Sequence, residues 1–128
     1  MIVADTDVLI DYLEDQGSGA EAVERALQRD QLQTTAVNYF ELVSGTRRPQ
    51  ERRSVLEFLG SILVLPLDVE AARQAAEVRQ QLERSGVGIG MGDSLIAGIV
   101  LANGATLLTR NRRHFERVHG LPLAEVED

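Results

Sequence analysis

The chain has 128 residues, enough for one compact domain that buries roughly two thirds of its unfolded surface. Its 44% hydrophobic and 26% charged residues exclude a disordered chain, and the absence of cysteine excludes both a disulfide framework and a thiolate zinc site. A net charge of −7 speaks against a general nucleic-acid binder.

The first segment, MIVADTD, has no basic stretch and no long apolar run, so no signal peptide is expected. No apolar run approaches the ~20 residues that span a bilayer, and the reading is a soluble, cytoplasmic protein with no membrane partner. Ile2–Ala4 reads as a buried strand. From Val8 to about Asp15 the pattern suits a helix, stopped by Gly17. A second helix follows from Ala20 to Arg29, with Val23, Ala26 and Leu27 at helical spacing. Gln33–Thr35 is a short strand, Val37–Ser44 a helix ended by Gly45, and Pro49 opens another helix to about Leu59. Ile62–Leu65 is a strand closed by Pro66.

Asp68 is placed to cap a long helix with Val69, Ala72, Ala75, Ala76 and Leu82 as its apolar stripe. The glycine-rich GVGIGMG leads to Asp93 and to SLIAGIVLA, a helix apolar nearly all round and therefore buried. Asn103–Gly104 ends it, Ala105–Leu108 is the next strand, and Asn111 can cap a short helix behind it. Strands alternating with helices imply an α/β fold with a parallel sheet, whose site lies beyond the carboxyl ends of the strands.

Polar groups interrupt apolar segments at four places. Asp5, with Thr6 and Asp7, follows the first strand; it reads as a helix cap or as a buried carboxylate in need of a partner. Glu41 stands among Phe40, Leu42 and Val43, on a wet helix face or in a site. Asp93 suits an N-cap that complements the helix dipole, a role compatible with function. In LLTRNRRHF, Thr109 and Asn111 close the last strand, and His114 reads as a surface or capping group. Without a second histidine at ligand spacing, zinc is not expected. Converging carboxylates repel unless a cation lies between them, and an all-oxygen donor set favours Mg²⁺ or Mn²⁺.

The series DTDVLID, FELVSG, GDSLIAG and LLTRNRRHF, in this order across essentially the whole chain, resembles the PIN-domain ribonucleases and, within them, the VapC toxins of toxin–antitoxin pairs. The resemblance implies a three-layer PIN-like fold over residues 1–128, a single domain with a central parallel sheet of four to five strands flanked by helices. It implies metal ligation by Asp5, Glu41 and Asp93, with Asn111 at a fourth, usually acidic, catalytic position and Thr6, Asp7 and Thr109 in support. It further implies a VapB-type antitoxin as partner, with the helices near residues 20–29 and 49–59 forming its groove, and a homodimer.

The expected reaction is Mg²⁺- or Mn²⁺-dependent cleavage of RNA. All thirteen basic residues are arginine, and eight of them lie in two segments, Arg47–Arg53 and Arg110–Arg117. Arg47, Arg48, Arg110, Arg112 and Arg113 are the candidate phosphate contacts. Few aromatics (4%) leave little stacking surface, which favours structured RNA such as tRNA. Three other readings compete. An inactive binding module has Asn111 as its symptom, and a housekeeping RNA-processing nuclease shares the same site. The haloacid-dehalogenase-type hydrolases and phospho-receiver domains, which this chain also resembles in its DTDV segment, need a lysine that it lacks.

Overall fold

The structure, a computed structural model, describes residues 1–126. Among them, four short strands form one parallel sheet: β1 (Ile2–Ala4), β2 (Leu32–Thr35), β3 (Leu63–Leu65) and β4 (Thr106–Leu108), in the order β3-β2-β1-β4. Ile2 pairs with both Leu32 and Thr106, so β1 lies at the centre. The helices are α1 (Thr6–Glu14), α2 (Gly17–Gln28), α3 (Ala36–Ser44), α4 (Pro49–Leu59), α5 (Val69–Arg84), α6 (Met91–Ala102) and the single turn α7 (Arg112–Phe115). The expected three-layer α/β architecture is present, with four strands.

Side chains alternate across each strand, and the two faces feed two cores. Val3 and Leu107 face a core built with Val78, Leu82, Ile96 and Ile99 of α5 and α6. Ala4 and Leu108 face the other, under α1, α2 and α4 through Val8, Leu9, Val23 and Leu59. After α7 the chain returns along the outer side of β4: Leu107 N–H donates to Pro122 O at 2.9 Å and Ala124 N–H to Leu107 O at 2.8 Å. That segment covers an edge which would otherwise offer unpaired backbone groups. No described helix is long and apolar enough to cross a membrane.

Helix α6 is buried as expected, from Ile96 through Val100. At Gly98 an added Cβ would stand 2.5 Å from Ala71 O and 2.6 Å from the Ala75 Cβ, so α5 and α6 meet at backbone distance there. The apolar stripe of α5 departs from expectation at three of its five positions. Ala71, Ala75, Val78 and Leu82 are buried, whereas Val69 is 86% exposed and Ala72 and Ala76 face solvent. Asp68 caps the helix by accepting from Ala71 N–H at 2.9 Å, and this fixes a phase that turns Val69 outward.

Candidate active site

Because the sheet is parallel, the carboxyl ends of β1, β2 and β4 open on one side of the molecule. Asp5 follows β1, continuing the ladder through its N–H to Leu108 O at 2.9 Å, and also caps α1 through a 2.8 Å bond from Thr6 N–H. The two readings of Asp5, cap and buried carboxylate, hold together. It is 7% exposed, and its oxygens accept from Thr6 N–H, from Asn38 Nδ2 at 3.0 Å and from Thr109 Oγ1 at 2.7 Å. Burial pushes its carboxyl up to about 6, Asp7 and Asp93 add to the push, and the Thr109 and Thr6 bonds oppose it.

Asn38 organises the next layer. Thr35 caps α3, and its hydroxyl donates to Asn38 Oδ1 at 2.7 Å, which fixes the amide so that Nδ2 faces Asp5 and Thr6. Nδ2 also donates to Thr6 Oγ1 at 2.9 Å, and Thr6 Oγ1 donates to Glu41 Oε1 at 2.5 Å. A chain Asn38–Thr6–Glu41 thus runs beside Asp5, each donor polarising the next. Glu41 therefore leans into the site and not onto a solvated face. Its other oxygen, Oε2, lies 3.6 Å from the Cβ position of Gly92, beside the start of α6.

Asp93 is not the N-cap of α6. Gly90 is, and Met91 and Gly92 form the first helical residues, so Asp93 stands in the first turn with its carboxylate uncommitted to capping. Its Oδ2 lies 3.0 Å from His114 Nδ1, which in turn lies 3.0 Å from Asn111 Nδ2. Asn111 occupies the N-cap position of α7 yet makes no side-chain capping bond; its amide lies beside the His114 ring instead. Its backbone N–H donates to Thr109 Oγ1 at 3.0 Å.

Asp7 is turned to structural use. It accepts from Val8 N–H at 2.7 Å and from Arg110 N–H at 2.9 Å, pinning the loop after β4 to the start of α1. Arg110 grips Asp11 with two bonds, 2.7 and 3.2 Å, and that pairing raises the guanidinium above its ordinary range. Arg112 donates to Ala124 O at 2.6 Å. Of the expected phosphate contacts, Arg47, Arg48 and Arg113 are exposed and make no ion pair among the described residues.

The structure thus brings Asp5, Glu41, Asp93, Asn111, Thr6 and Thr109 to one end of the sheet. As they stand, no three acidic or histidine side chains among the described residues close to ligation distance. Glu41 accepts from Thr6, and Asp93 lies against His114. The donor set nevertheless fits a hard divalent cation. It is all oxygen, Asp5 feels Asp7 and Asp93 as repulsion, and its own three hydrogen-bond donors are neutral. Asn38 was missed in the sequence reading. Its signal is the i, i+3 spacing to Glu41, which puts both on one helix face.

Of the two helices expected beside a partner, α4 lines one hollow and α2 another. A groove of about 450 Å³ is lined by Ile10, Leu13, Leu42 and Val55, with Glu14, Glu41 and Glu51 at its polar positions. Helix α2 lines a separate hollow with Tyr12 and Asp15.

A family model described as PIN domain matches residues 2–121. Among relatives, the tRNA(fMet)-specific endonuclease VapC of Shigella flexneri is 34% identical over 99 residues, covering 74% of this chain and 75% of that protein. Ribonuclease VapC10 of Mycobacterium tuberculosis (strain ATCC 25618 / H37Rv) is 35% identical over 115 residues, covering 90% and 86%. The fold is similar to that in the crystal structure of VapBC2 from Rickettsia felis bound to a DNA fragment from their promoter, with TM-score 0.82, 26% identity and coverage of 97% and 98%.

Proposed function

The chain belongs to the PIN-domain family, among its VapC ribonucleases, and from that premise we propose that it is a divalent-cation-dependent endoribonuclease, the toxin of a type II pair, that cleaves structured RNA, tRNA first. Its enzyme class, a nuclease that hydrolyses phosphodiester bonds, comes with the family. The observation that carries cation dependence is Asp5: a buried carboxylate pushed up to about 6, with Asp7 and Asp93 nearby and only neutral donors on its own oxygens.

Asp5, Glu41 and Asp93 would hold Mg²⁺ or Mn²⁺, with the Asn111 amide as a neutral fourth group. Bound there, the ion supplies activation of a water and neutralisation of charge on the phosphate. The chain's own residues fix the geometry. Asn38 and Thr109 orient Asp5, and Thr6 orients Glu41. The chain offers no cysteine nucleophile, and the hydroxyls of Ser44, Ser61, Ser85 and Ser94 donate to backbone carbonyls. Exposed Arg47, Arg48 and Arg113 are the groups that meet RNA phosphates.

An antitoxin of the VapB type belongs to the same reading. The groove ending on Glu41 has an apolar floor and three glutamates, which suits an apolar segment carrying Arg or Lys. Self-association is supported by an apolar hollow of about 370 Å³ at exposed Phe40, Leu67 and Met91. Such a toxin acts on cytoplasmic RNA.

The test uses purified chain, and its Asp93→Asn variant, on total RNA containing tRNA, with Mn²⁺ and then with EDTA. Cleavage by the parent alone, abolished by EDTA, is expected. Folded, antitoxin-free parent that cuts nothing would assign the fold to RNA or protein binding instead.

A further inference from the structure

We propose that His114 is a positioning residue for Asp93: a neutral imidazole in the Nδ1–H form that ties one oxygen of that carboxylate to α7. The proposal rests on the nuclease reading above. His114 Nδ1 lies 3.0 Å from Asp93 Oδ2 and 3.0 Å from Asn111 Nδ2. A neutral imidazole offers one hydrogen or one lone pair at Nδ1, never both, so it serves one of these neighbours at a time. Donation to an ionised carboxylate is charge-assisted and about twice as strong as a bond between neutral groups, so Asp93 takes it. Asn111 yields, because its amide turns over about χ2 at little cost.

The consequences for the site are geometric. Asp93 is otherwise unanchored, since Gly90 caps α6 and no other side chain bonds to it among the described residues. With Oδ2 held at His114, Oδ1 is the oxygen left without a side-chain partner among the described residues. Helix α7 is a single turn whose Phe115 is fully buried, so the imidazole stands on a fixed base while its side chain stays 47% exposed. A ligating carboxylate that is oriented in this way costs about 10- to 100-fold in metal affinity or activity when its orienting partner is removed.

The experiment labels histidine with ¹⁵N and reads the imidazole nitrogens at a pH well above the ordinary histidine range, using His114→Ala to distinguish His114 from His119. The parent should show Nδ1 protonated, and Asp93→Ala should return His114 to the Nε2–H form that free imidazole prefers. In parallel, His114→Ala should lower kcat on RNA by about 10- to 100-fold with KM nearly unchanged, and should shrink the rise in Tm on adding Mn²⁺. His114→Asn, whose amide nitrogen sits as many bonds from Cα as Nδ1, should recover most of both. An Nε2–H imidazole in the parent overturns the proposal. So does an unchanged kcat and Mn²⁺ response in His114→Ala, or a loss that Asn does not rescue. If the parent cleaves RNA and any of these occurs, the nuclease reading stands and His114 alone is wrongly assigned. If the parent cleaves nothing, both fall, whatever the tautomer.

Discussion

Thr109 Oγ1 donates to Asp5 Oδ2 at 2.7 Å, joining residues 104 positions apart and closing the carboxyl ends of β4 and β1 over one buried carboxylate. The same hydroxyl oxygen accepts Asn111 N–H at 3.0 Å, so one threonine sets both Asp5 and the loop that carries Asn111. Three neutral donors surround Asp5 and still leave its carboxyl raised, because they do not replace the water that burial removed.

That state makes Asp5 a liability for the cation-free fold. The folded form holds its proton up to about pH 6, while the unfolded chain releases it near 3.8. As pH rises through that window the native state binds more protons than the unfolded one, so stability is lost with rising pH, by at most about 3 kcal/mol. Asp5→Asn can keep every bond: its Oδ1 accepts from Thr6 and Asn38, and its amide donates to Thr109. In EDTA the variant should therefore melt higher than the parent at pH 7.5, with the gap closing toward pH 4. Added Mn²⁺ should raise the parent's Tm and leave the variant's unchanged. A parent that gains stability relative to the variant between pH 4 and 7 would sink this account.

Asn38→Ala removes two donors and leaves a void behind a fully buried side chain. Thr6 then loses the bond that aims its hydroxyl at Glu41. We expect a loss of about 1–3 kcal/mol in denaturant unfolding and a fall in kcat in the protein that remains folded. Unaltered kcat would show that Glu41 needs no orienting.

The strand ends that carry the site were legible in the sequence because an apolar run that stops at a polar residue is visible as such: Ala4 to Asp5, and Leu108 to Thr109. Asn38 was not. Its burial depends on β2 pairing with β1 and on Thr35 turning the amide inward, both tertiary facts. Asp93 looked like a cap because glycines on both sides of Met91 read as loop, yet Met91 and Gly92 are helical and move the cap to Gly90. The pairing of Arg110 with Asp11 was not legible, because the two lie 99 positions apart, beyond any local pattern. In the α5 stripe Ala75 and Leu82 are buried as expected, but alanines populate both faces and Ala71, not Ala72, points inward.

Gly98→Leu tests the close approach of α5 and α6. A side chain there meets Ala71 O and Ala75 before it has left its own backbone. Overpacking of this kind costs about 1–3 kcal/mol, and a branched residue sits at the upper end. Since Gly98 lies more than one turn beyond Asp93, the folded variant should cleave RNA with the parent's kcat. A variant of unchanged Tm would mean that the two helices can part freely.

The arginines should divide into two groups by their salt dependence. Each phosphate neutralised on binding releases counterions, so log K falls with log salt by about 0.7 per contact for single strands and about 0.9 for a duplex. Arg47, Arg48 and Arg113 are exposed and unpaired among the described residues, and replacing each by alanine should flatten that slope by roughly one contact. Arg110 is different: its guanidinium is already bound to Asp11, and its backbone N–H, which alanine retains, is the group that holds Asp7. Arg110→Ala should leave the slope as it is, and because the pair is about half exposed on the arginine side its stability cost should stay within about 1 kcal/mol. Binding of a tRNA to the Asp93→Asn protein, followed between about 50 and 200 mM salt, measures both groups without turnover. If Arg110→Ala flattens the slope as much as Arg113→Ala, the Asp11 pair opens on RNA and Arg110 belongs with the phosphate contacts after all.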